Sequence, residues 1–512
     1  MSPPDVKFGK IRSFLWPIYR HEVKKIVPMM LMLFLICFNY SILRNVKDAV
    51  VVTAKSSGAE VIPFIKVWVL LPMAILFTLI FTKLTNRYSQ EKVFYVTISA
   101  FLLFFGFFTF IVYPYRDFFH PHQLADTLEG ILPVGFKGLI AMFRNWSFTI
   151  FYVICELWGS MVLSVLFWGF ANEVTQITEA RRFYSMLGVI ASFAGIFAGL
   201  SANYLMTESW EETLQTLILV IMLSGCLTML IFCWMNKKVL TDSSFDGLHK
   251  TRRELQPKAK LSMRESFTYL SNSKYLVCVA ILVVCYNLVI NLVEIVWKDQ
   301  LRQLYPSTVE YSRYMNYVTS AVGIIATLTS LFMSQLIARF GWTRTALITP
   351  VSMVLTSAGF FAFMFFRHDL AEPVFILTGT TPLAIAVFFG AAQVCISKAC
   401  KYSAFDSTKE MTFIPLEHEC KLKGKAAIDG VGSRLGKSGG SVIHQGLLMI
   451  FGSVSMSAPY VATILMLVIT GWMIAVRSLG KQFAAIIGEK GREEIGEAPS
   501  SSKELQKKQQ AA

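Results

Sequence analysis

Two apolar stretches of the sequence carry polar side chains at helical spacing, and in each stretch these side chains fall on one face of a helix. The two sets are Asn287, Asn291, Glu294 and Lys298, and Glu156, Ser160, Ser164 and Asn172. A charge at the bilayer centre costs about 2.5–3.5 kcal/mol on insertion scales, so such residues normally line a polar path or a substrate site. The spacing therefore predicts two polar helix faces that can hydrogen-bond or pair charges with a polar solute inside a membrane.

The composition favours a membrane protein over a soluble one. The chain has 512 residues, of which 54% are hydrophobic and only 16% charged, and its mean hydropathy is +0.53. A soluble domain of this size carries more surface charge. The net charge of +15 raises the alternative of nucleic-acid binding. However, the basic residues lie mainly in alternate loops, as the positive-inside rule predicts for a protein in a lipid bilayer, and no nucleic-acid partner is expected.

The apolar stretches predict an all-α membrane protein with twelve transmembrane helices, because a helical span needs about 20 apolar residues. Their approximate bounds are residues 28–50, 63–84, 93–114, 146–171, 183–206, 213–235, 274–297, 314–337, 345–366, 380–403, 426–452 and 459–478. The loops rich in Lys and Arg share one side, which places both termini in the cytoplasm. Neither a cleaved signal peptide nor a long transit peptide is expected.

A polar segment at 236–273 divides the predicted spans into two halves of six helices. A short internal repeat supports this division, because TKLTNRYSQEKVF after the second span resembles SQLIARFGWTRTAL after the eighth. Two similar halves joined by a linker are typical of transporters whose site lies between the halves. The predicted domains are a cytoplasmic amphipathic N-terminus at 1–27, six-helix bundles at 28–235 and 274–478, a cytoplasmic linker at 236–273 and a disordered cytoplasmic tail at 479–512.

Charged residues in the first two spans have both structural and functional interpretations. Arg44, Lys47 and Asp48 lie within five positions near the end of the first span. Lys47 can pair with Asp48, and Arg44 can extend to the interface, but three ionisable residues inside an apolar run favour a functional role. Lys66 opens the second span, where both an interfacial lysine and a ligand for a solute are compatible with its position.

Glu156 and Glu294 each lie in the middle of a predicted span. A carboxylate buried there needs a cation or a proton. It can form a structural lock between the two halves, shape a substrate site or carry a coupling proton. These roles are compatible, because a lock between two halves is also a gate.

The eleventh predicted span begins with a basic, glycine-rich segment, RLGKSGG. It is not a Walker A loop, because Val431 replaces the required first glycine and no strand precedes it. Arg434 and Lys437 can still approach an anion closely on this helix, since Lys suits phosphate as a point charge and Arg can bind it through two hydrogen bonds.

The sequence carries no nucleotide-hydrolysing, esterase or metalloprotease motif, so no enzyme activity is expected. The nine cysteines lack the spacing of a disulfide framework or a metal site. Neither a metal nor another cofactor is therefore expected. His120, His122 and Asp126 in an outer loop do not have the spacing of a known acyltransferase, which argues against a membrane-embedded transferase.

Three long segments resemble the ATP/ADP translocase family, which comprises nucleotide transporters of plastids and obligate intracellular bacteria. They are NVKDAVVVTAKSSGAEVIPFIKVWVLLPMA, ELWGSMVLSVLFWGFANEVTQITEARRFY and KYSAFDSTKEMTFIPLEHECKLKGKAAIDGVGSRLGKSGGS. The resemblance implies a major-facilitator-like antiporter that imports ATP and exports ADP, with inorganic phosphate as a further substrate. It also implies a protein of the chlamydial type, and a monomer in the bacterial inner membrane is expected.

The resemblance further implies a set of transport-critical charges, which are Lys66, Glu156, Glu294 and Lys437. In the resulting hypothesis, Lys66, Arg434 and Lys437 neutralise the phosphates, and the two glutamates pair with the lysines when the site is empty. The complete set of expected substrate-binding residues is Lys47, Lys66, Glu156, Asn172, Asn287, Asn291, Glu294, Arg434 and Lys437.

The base and the ribose of the nucleotide are expected to contact amides and aromatic rings. Asn172, Asn287 and Asn291 can hydrogen-bond them, and Phe170 or Tyr286 can stack on adenine. Two alternatives remain open. One is a proton-coupled importer of other nucleotides that uses Glu156 or Glu294 as its titrating group, and the other is an exporter of drugs or metabolites with the same architecture.

Overall fold

The computed structural model describes residues 18–19, 22–175, 177–240, 273–415, 428 and 432–494. Within these residues the chain forms helices and no strand. The long helices are α1 (Val23–Val52), α2 (Val61–Arg87), α3 (Gln90–Val112), α4 (Trp146–Val174), α5 (Ile177–Tyr204), α6 (Trp210–Val239), α7 (Lys274–Leu304), α8 (Thr308–Phe365), α9 (Pro382–Cys400), α10 (Ser433–Phe451) and α11 (Val454–Glu494). Shorter helices are Arg116–Phe119, His122–Ile131, Lys137–Arg144, Ala371–Thr378 and Asp406–Thr412.

Ten helical segments of the described chain are long and apolar enough to cross a membrane. They coincide with ten of the predicted spans, and exposed apolar side chains such as Trp68, Ile75 and Leu79 lie along one of them, as expected for a surface in contact with lipid. The protein is therefore a multi-pass membrane protein. The other two predicted spans, 314–337 and 426–452, fall on the first part of α8 and on α10, so the number twelve stays a prediction.

Two helices differ in length from the predicted spans. α8 covers two of them and is interrupted at Gly341, whose φ of 75° lies in the left-handed region that favours glycine. α11 continues beyond residue 478, through part of the predicted disordered tail. It continues because its apolar pattern still finds partners there: Leu479 is buried, and the ring of Phe483 lies 5.3 Å from that of Trp342.

The chain forms two compact units. Unit 1 comprises Met1–Lys258, Ile295–Leu328 and His444–Ser457, and unit 2 comprises Ala259–Glu294, Thr329–Ile443 and Ala458–Ala512. The predicted N-terminal segment, linker and tail lie largely outside the described residues, at 1–17, 20–21, 241–272 and 495–512. The division into two six-helix bundles stays a prediction.

Unit 1 is packed around aromatic side chains of α3 and α4. The rings of Phe108 and Phe151 stack with their centroids 4.2 Å apart, and Phe101 meets Trp158 edge-on at 5.7 Å. Trp158 also donates a hydrogen bond of 3.2 Å from Nε1 to the carbonyl of Ile36 in α1. Buried aromatic pairs of this kind contribute about 0.5–1.5 kcal/mol beyond their buried area. They hold α1 beside α4.

Unit 2 has its own aromatic core around Tyr286 of α7. The Tyr286 ring stacks on Phe405 at 4.5 Å and meets Trp472 edge-on at 6.0 Å. The Tyr286 hydroxyl donates a hydrogen bond of 3.1 Å to the carbonyl of Ser397. These contacts fix the part of α7 that carries the predicted polar face against α9 and α11.

Candidate functional site

Four charged side chains from three helices form one cluster in unit 1. Lys47 Nζ lies 2.9 Å from Asp48 Oδ1 and 2.9 Å from Glu156 Oε1. Lys298 Nζ lies 2.8 Å from Asp48 Oδ2. α1 contributes Lys47 and Asp48, α4 contributes Glu156 and α7 contributes Lys298. Each oxygen of the Asp48 carboxylate therefore faces a different lysine, and the cluster joins three helices.

The cluster is dehydrated except at one end. The side chains of Lys47, Asp48 and Lys298 are 2–3% exposed, whereas that of Glu156 is 25% exposed. Lys47 Nζ also lies 3.8 Å from the centre of the Tyr152 ring, which adds a cation–π contact. Burying such charges costs several kcal/mol per ion, and attraction offsets this only when the geometry is good. The cluster is therefore better explained by a function than by stability, and Glu156 is its accessible end.

Lys66 lies beside this accessible end. It is half-buried in a π-helical stretch of α2, Ile65–Leu70, and this stretch packs against Trp146–Leu157, the part of α4 that carries Glu156. α4 also becomes π-helical shortly after Glu156, over Trp158–Phe167. π-helical turns are rare and frequently mark functional sites, and here they occur in both helices that supply these two residues.

Buried amides hold the helices of the cluster in place. The side-chain amide of Gln445 donates a hydrogen bond of 2.9 Å to the carbonyl of Pro63, just before the π-helical part of α2. The amide of Asn45 in α1 donates to Asn316 Oδ1 and to Thr319 Oγ1 in α8, over 2.8 and 2.9 Å. Amide hydrogen bonds are directional, so within unit 1 they set how α10 approaches α2 and how α8 approaches α1.

Asn287 and Asn291 lie on α7 in unit 2, where α7 and α10 are in close contact. A Cβ atom at Gly436 would overlap Asn287, and one at Gly440 would overlap Asn291. Both amides are buried and donate to backbone carbonyls of α7, over 2.8 and 3.2 Å. Small residues let two helices approach closely, and here Gly436 and Gly440 bring α10 against the polar face of α7.

The remaining predicted site residues are less buried. Arg434 and Lys437 are exposed on α10, and Glu294 is half-buried on α7. Asn172 is exposed near the end of α4, and its Oδ1 accepts a hydrogen bond of 2.7 Å from the Tyr184 hydroxyl. Of the predicted residues, the structure thus brings Lys47, Lys66 and Glu156 together in unit 1, and it places Asn287, Asn291, Glu294, Arg434 and Lys437 in unit 2.

Asp48 and Lys298 belong to the cluster although the expected substrate-binding set omits them. Each had a signal in the sequence: Lys298 continues the polar face that begins at Asn287, and Asp48 follows Lys47 inside an apolar run. The alternative in which Lys47 pairs with Asp48 is confirmed. The pairing is not merely local, because Asp48 also binds a lysine far away in the sequence.

The expectation that Phe170 or Tyr286 stacks on adenine is wrong for this structure. Both residues are at most 4% exposed. Phe170 meets Phe232 edge-on at 5.0 Å, and Tyr286 is stacked on Phe405. Packing with other aromatic residues occupies both rings, so neither presents a face to a nucleotide base.

A second polar region lies between α3 and α4, outside the membrane-spanning segments. A cavity of about 150 Å³ is lined there by Arg116, Asp117, His120 and His122, among other residues. His120 is buried, and its Nε2 lies 2.7 Å from Ser147 Oγ. Burial, and secondarily the charge of His122, lower the pKa of His120 to about 4. Within the described residues no three His, Cys, Asp or Glu side chains are grouped as metal ligands.

Comparison with known proteins gives a family for the chain. The family model described as TLC ATP/ADP transporter matches residues 1–483. The ADP,ATP carrier protein 1 of Chlamydia muridarum is 46% identical, over 97% of this chain and 95% of the carrier. The chloroplastic ADP,ATP carrier protein 1 of Arabidopsis thaliana is 43% identical, over 94% of this chain and 77% of the carrier.

Solved structures show the fold. The nucleoside transporter NupG aligns with a TM-score of 0.50 and 11% identity, over 90% of this chain and 99% of its own. A D-xylose–proton symporter aligns with a TM-score of 0.50 and 10% identity, over 88% and 97%. These are transporters of the major-facilitator type, and the all-α, major-facilitator-like fold is confirmed. On the family match and the identities above, the chain belongs to the TLC ATP/ADP transporter family.

Proposed function

We propose that this protein is a membrane antiporter that exchanges external ATP for internal ADP by alternating access, with inorganic phosphate as a further substrate. Membership of the family and the names of the related carriers support this substrate pair. The observation that carries the proposal is the buried cluster of Lys47, Asp48, Glu156 and Lys298 inside membrane-spanning helices. Intramembrane charges of this kind are rare without a role in moving a solute.

In this proposal, cationic side chains from both predicted halves bind the phosphates. Lys47 and Lys66 act from the first half, and Arg434 and Lys437 from the second. Gly436 and Gly440 allow α10 to pack directly against α7. This packing supports a role for Arg434 and Lys437, because it places the helix that carries them next to the polar face of α7. Lys binds phosphate as a point charge and Arg through two parallel hydrogen bonds.

The amides complete the proposed site on the side of the base and the ribose. Asn287 and Asn291 hydrogen-bond to α7 itself in this structure, and each retains a carbonyl oxygen as an acceptor and a second N–H. Asn172 is exposed and has similar chemistry. These three side chains are proposed to bind the nucleoside part.

The same charges explain why transport is an exchange. Without nucleotide, Glu156 pairs with Lys47 and compensates the positive charge of Lys66. Glu294 is proposed to act as a counter-ion for the cations of the second half. Breaking a buried ion pair without a replacement leaves an uncompensated charge, which is strongly unfavourable. The empty carrier therefore resists reorientation, and a bound nucleotide removes this resistance because its phosphates replace the carboxylates.

The test is uptake of radiolabelled ATP by liposomes that contain the purified protein, with or without ADP inside. Uptake should require internal ADP and should be lost in Lys66→Gln and Lys437→Gln. Lys83→Gln and Lys481→Gln are matched controls, because these exposed lysines lie on α2 and α11, and both should retain uptake. Equal uptake in the site variants and in the controls would remove the lysines from the site.

The proton-coupled alternative makes the opposite prediction in the same liposomes. Uptake that needs no internal nucleotide and collapses when an uncoupler dissipates the proton gradient would replace exchange as the function. A panel of unlabelled nucleotides inside and outside the liposomes then defines the substrates.

We further propose that the protein is a monomer in a bacterial cell membrane with both termini in the cytoplasm. The bacterial relatives support this location, and the loop charges support the orientation. The single substitutions Glu208→Cys and Arg87→Cys test the orientation. An impermeant thiol reagent applied to whole cells should label the first and not the second.

A further inference from the structure

Within unit 1, α1 is attached by polar contacts to the segment 295–328, which contains the end of α7 and the start of α8. The contacts are Asn45 with Asn316, Asp48 with Lys298 and Thr53 with Thr308, over 2.8, 2.8 and 2.7 Å. Of these three, only the contact between Asp48 and Lys298 joins opposite full charges.

Small residues bring α5 and α8 together in the same unit. A Cβ atom at Gly199 would overlap Ser320 and the carbonyl of Asn316, and one at Gly323 would overlap Ile196 and the carbonyl of Ser192. Such interfaces are held by van der Waals packing and neutral hydrogen bonds. Neutral contacts can separate without leaving a charge behind, whereas an ion pair in a dehydrated environment cannot. The Asp48–Lys298 pair is thus the contact most costly to open among those of α1 with this segment.

The cluster has a direction, from its accessible end to its buried end. Charges alternate along it in the order Glu156, Lys47, Asp48 and Lys298, and the exposed fraction of the side chain falls from 25% at Glu156 to 2–3% at the others. An anion that reaches Glu156 competes for Lys47. When Lys47 turns toward this anion, Asp48 loses one of the lysines that contact it, and its attraction for Lys298 changes in response.

From this geometry we propose that Asp48 is a positioning residue that transmits nucleotide binding at the Glu156 end of the cluster to α7. In the empty carrier, Asp48 clamps α7 to α1 through Lys298. A substrate phosphate that draws Lys47 away from Asp48 changes the contact between Asp48 and Lys298. The carrier can therefore reorient only after the substrate has bound. The inference rests on the proposed exchange and adds to it the residue that makes exchange obligatory.

The experiment measures efflux of radiolabelled ADP from loaded liposomes, with and without ATP outside, and takes the ratio of the two rates. Asp48→Asn keeps the size and hydrogen bonding of the side chain but removes its charge. It should raise efflux in the absence of external nucleotide. The ratio of the rate with external ATP to the rate without it should therefore fall by about tenfold, as expected for a modest shift in a two-state equilibrium. Lys298→Met should have the same effect, the double variant should lower the ratio no further, and Asp48→Glu should restore much of it.

A matched control separates coupling from general damage. Lys25 and Glu179 form another buried ion pair in unit 1, with Nζ 2.7 Å from Oε2 and side chains 0% and 11% exposed. This pair joins α1 to α5 without involving the cluster. Lys25→Met should reduce the amount of folded protein, measured by size-exclusion chromatography, and leave the efflux ratio of the folded fraction unchanged.

Two outcomes would overturn the inference: a wild-type ratio in both Asp48→Asn and Lys298→Met, or an equal fall of the ratio in Lys25→Met. Failure of the proposed function looks different. In that case efflux from the wild-type protein would itself be independent of external nucleotide, and both the exchange and this inference would fall.

Discussion

Two buried cations of unit 1 bind carboxylates that differ in their exposure to solvent. One cation lies inside the membrane-spanning helices and the other lies outside them. Arg144 is fully buried in the segment between α3 and α4, and its guanidinium lies 2.6 Å from Asp126 and 3.2 Å from Glu129, whose side chains are 64% and 33% exposed. Lys47 is equally buried, but Asp48 is only 2% exposed. The carboxylates that bind Arg144 remain hydrated, whereas the Lys47 cluster is largely dehydrated.

This difference separates a structural role from a functional one. Pairing a buried cation with hydrated carboxylates requires desolvation of the cation but not of its partners, so the Arg144 cluster can stabilise the connection between the two helices. The Lys47 cluster requires desolvation of both signs of charge and gains less in stability. It is therefore expected to affect transport more than folding, and the Arg144 cluster is expected to do the reverse.

The largest expected effect is that of Lys47→Met, which removes the cation shared by Asp48 and Glu156. Loss of a charged hydrogen-bonded contact of about 3 kcal/mol corresponds to roughly a hundredfold change, and ADP-dependent ATP uptake should fall by about this factor. Initial uptake rates, normalised to the folded protein in the liposomes, measure it. A normalised rate within a few fold of the wild type would show that the Lys47 cluster has no special role in transport.

Arg144→Met should have an intermediate effect, on stability alone. Hydrogen bonds to charged groups contribute about 1.5–3 kcal/mol, so the free energy of unfolding should fall by about this amount in detergent. Exchange per folded molecule should stay within about twofold of the wild type, because no step of the proposed cycle involves this segment. Lys137→Met is the matched control: its partner Glu60 is 3.6 Å away and the lysine is 48% exposed, so the loss should be at most about 1 kcal/mol.

The smallest expected effect is the pH dependence due to His120. Burial lowers its pKa to about 4 from an ordinary value of 6.5, so the folded state favours the neutral ring. The stability this provides is fully present above pH 6.5 and is lost progressively as the pH falls through 6.5 towards 4. The melting temperature of the wild type should fall between pH 7 and pH 5, and His120→Asn should reduce this fall. An identical pH dependence in the variant would show that other groups cause it.

Local hydropathy was enough to locate most of the helices. The predicted spans 146–171 and 213–235 correspond to Trp146–Val174 and Trp210–Val239, because a chain in lipid must satisfy its backbone hydrogen bonds within each segment. The end of α11 was not predictable in this way. The helix continues because of contacts such as that of Phe483 with Trp342. These two residues are far apart in the sequence, so local hydropathy does not reveal the contact.

The order of apolar and charged residues is enough to show that the chain is an all-α membrane protein and that Lys47, Lys66 and Glu156 are unusual charges, because transfer into lipid penalises each charge according to its own position. Which of these charges meet depends on how the helices pack. Asp48 binds Lys298 and Lys47 binds Glu156, and each pair joins different helices. Ion pairing depends on distances of a few ångströms between helices that are remote in sequence, and helix packing sets those distances.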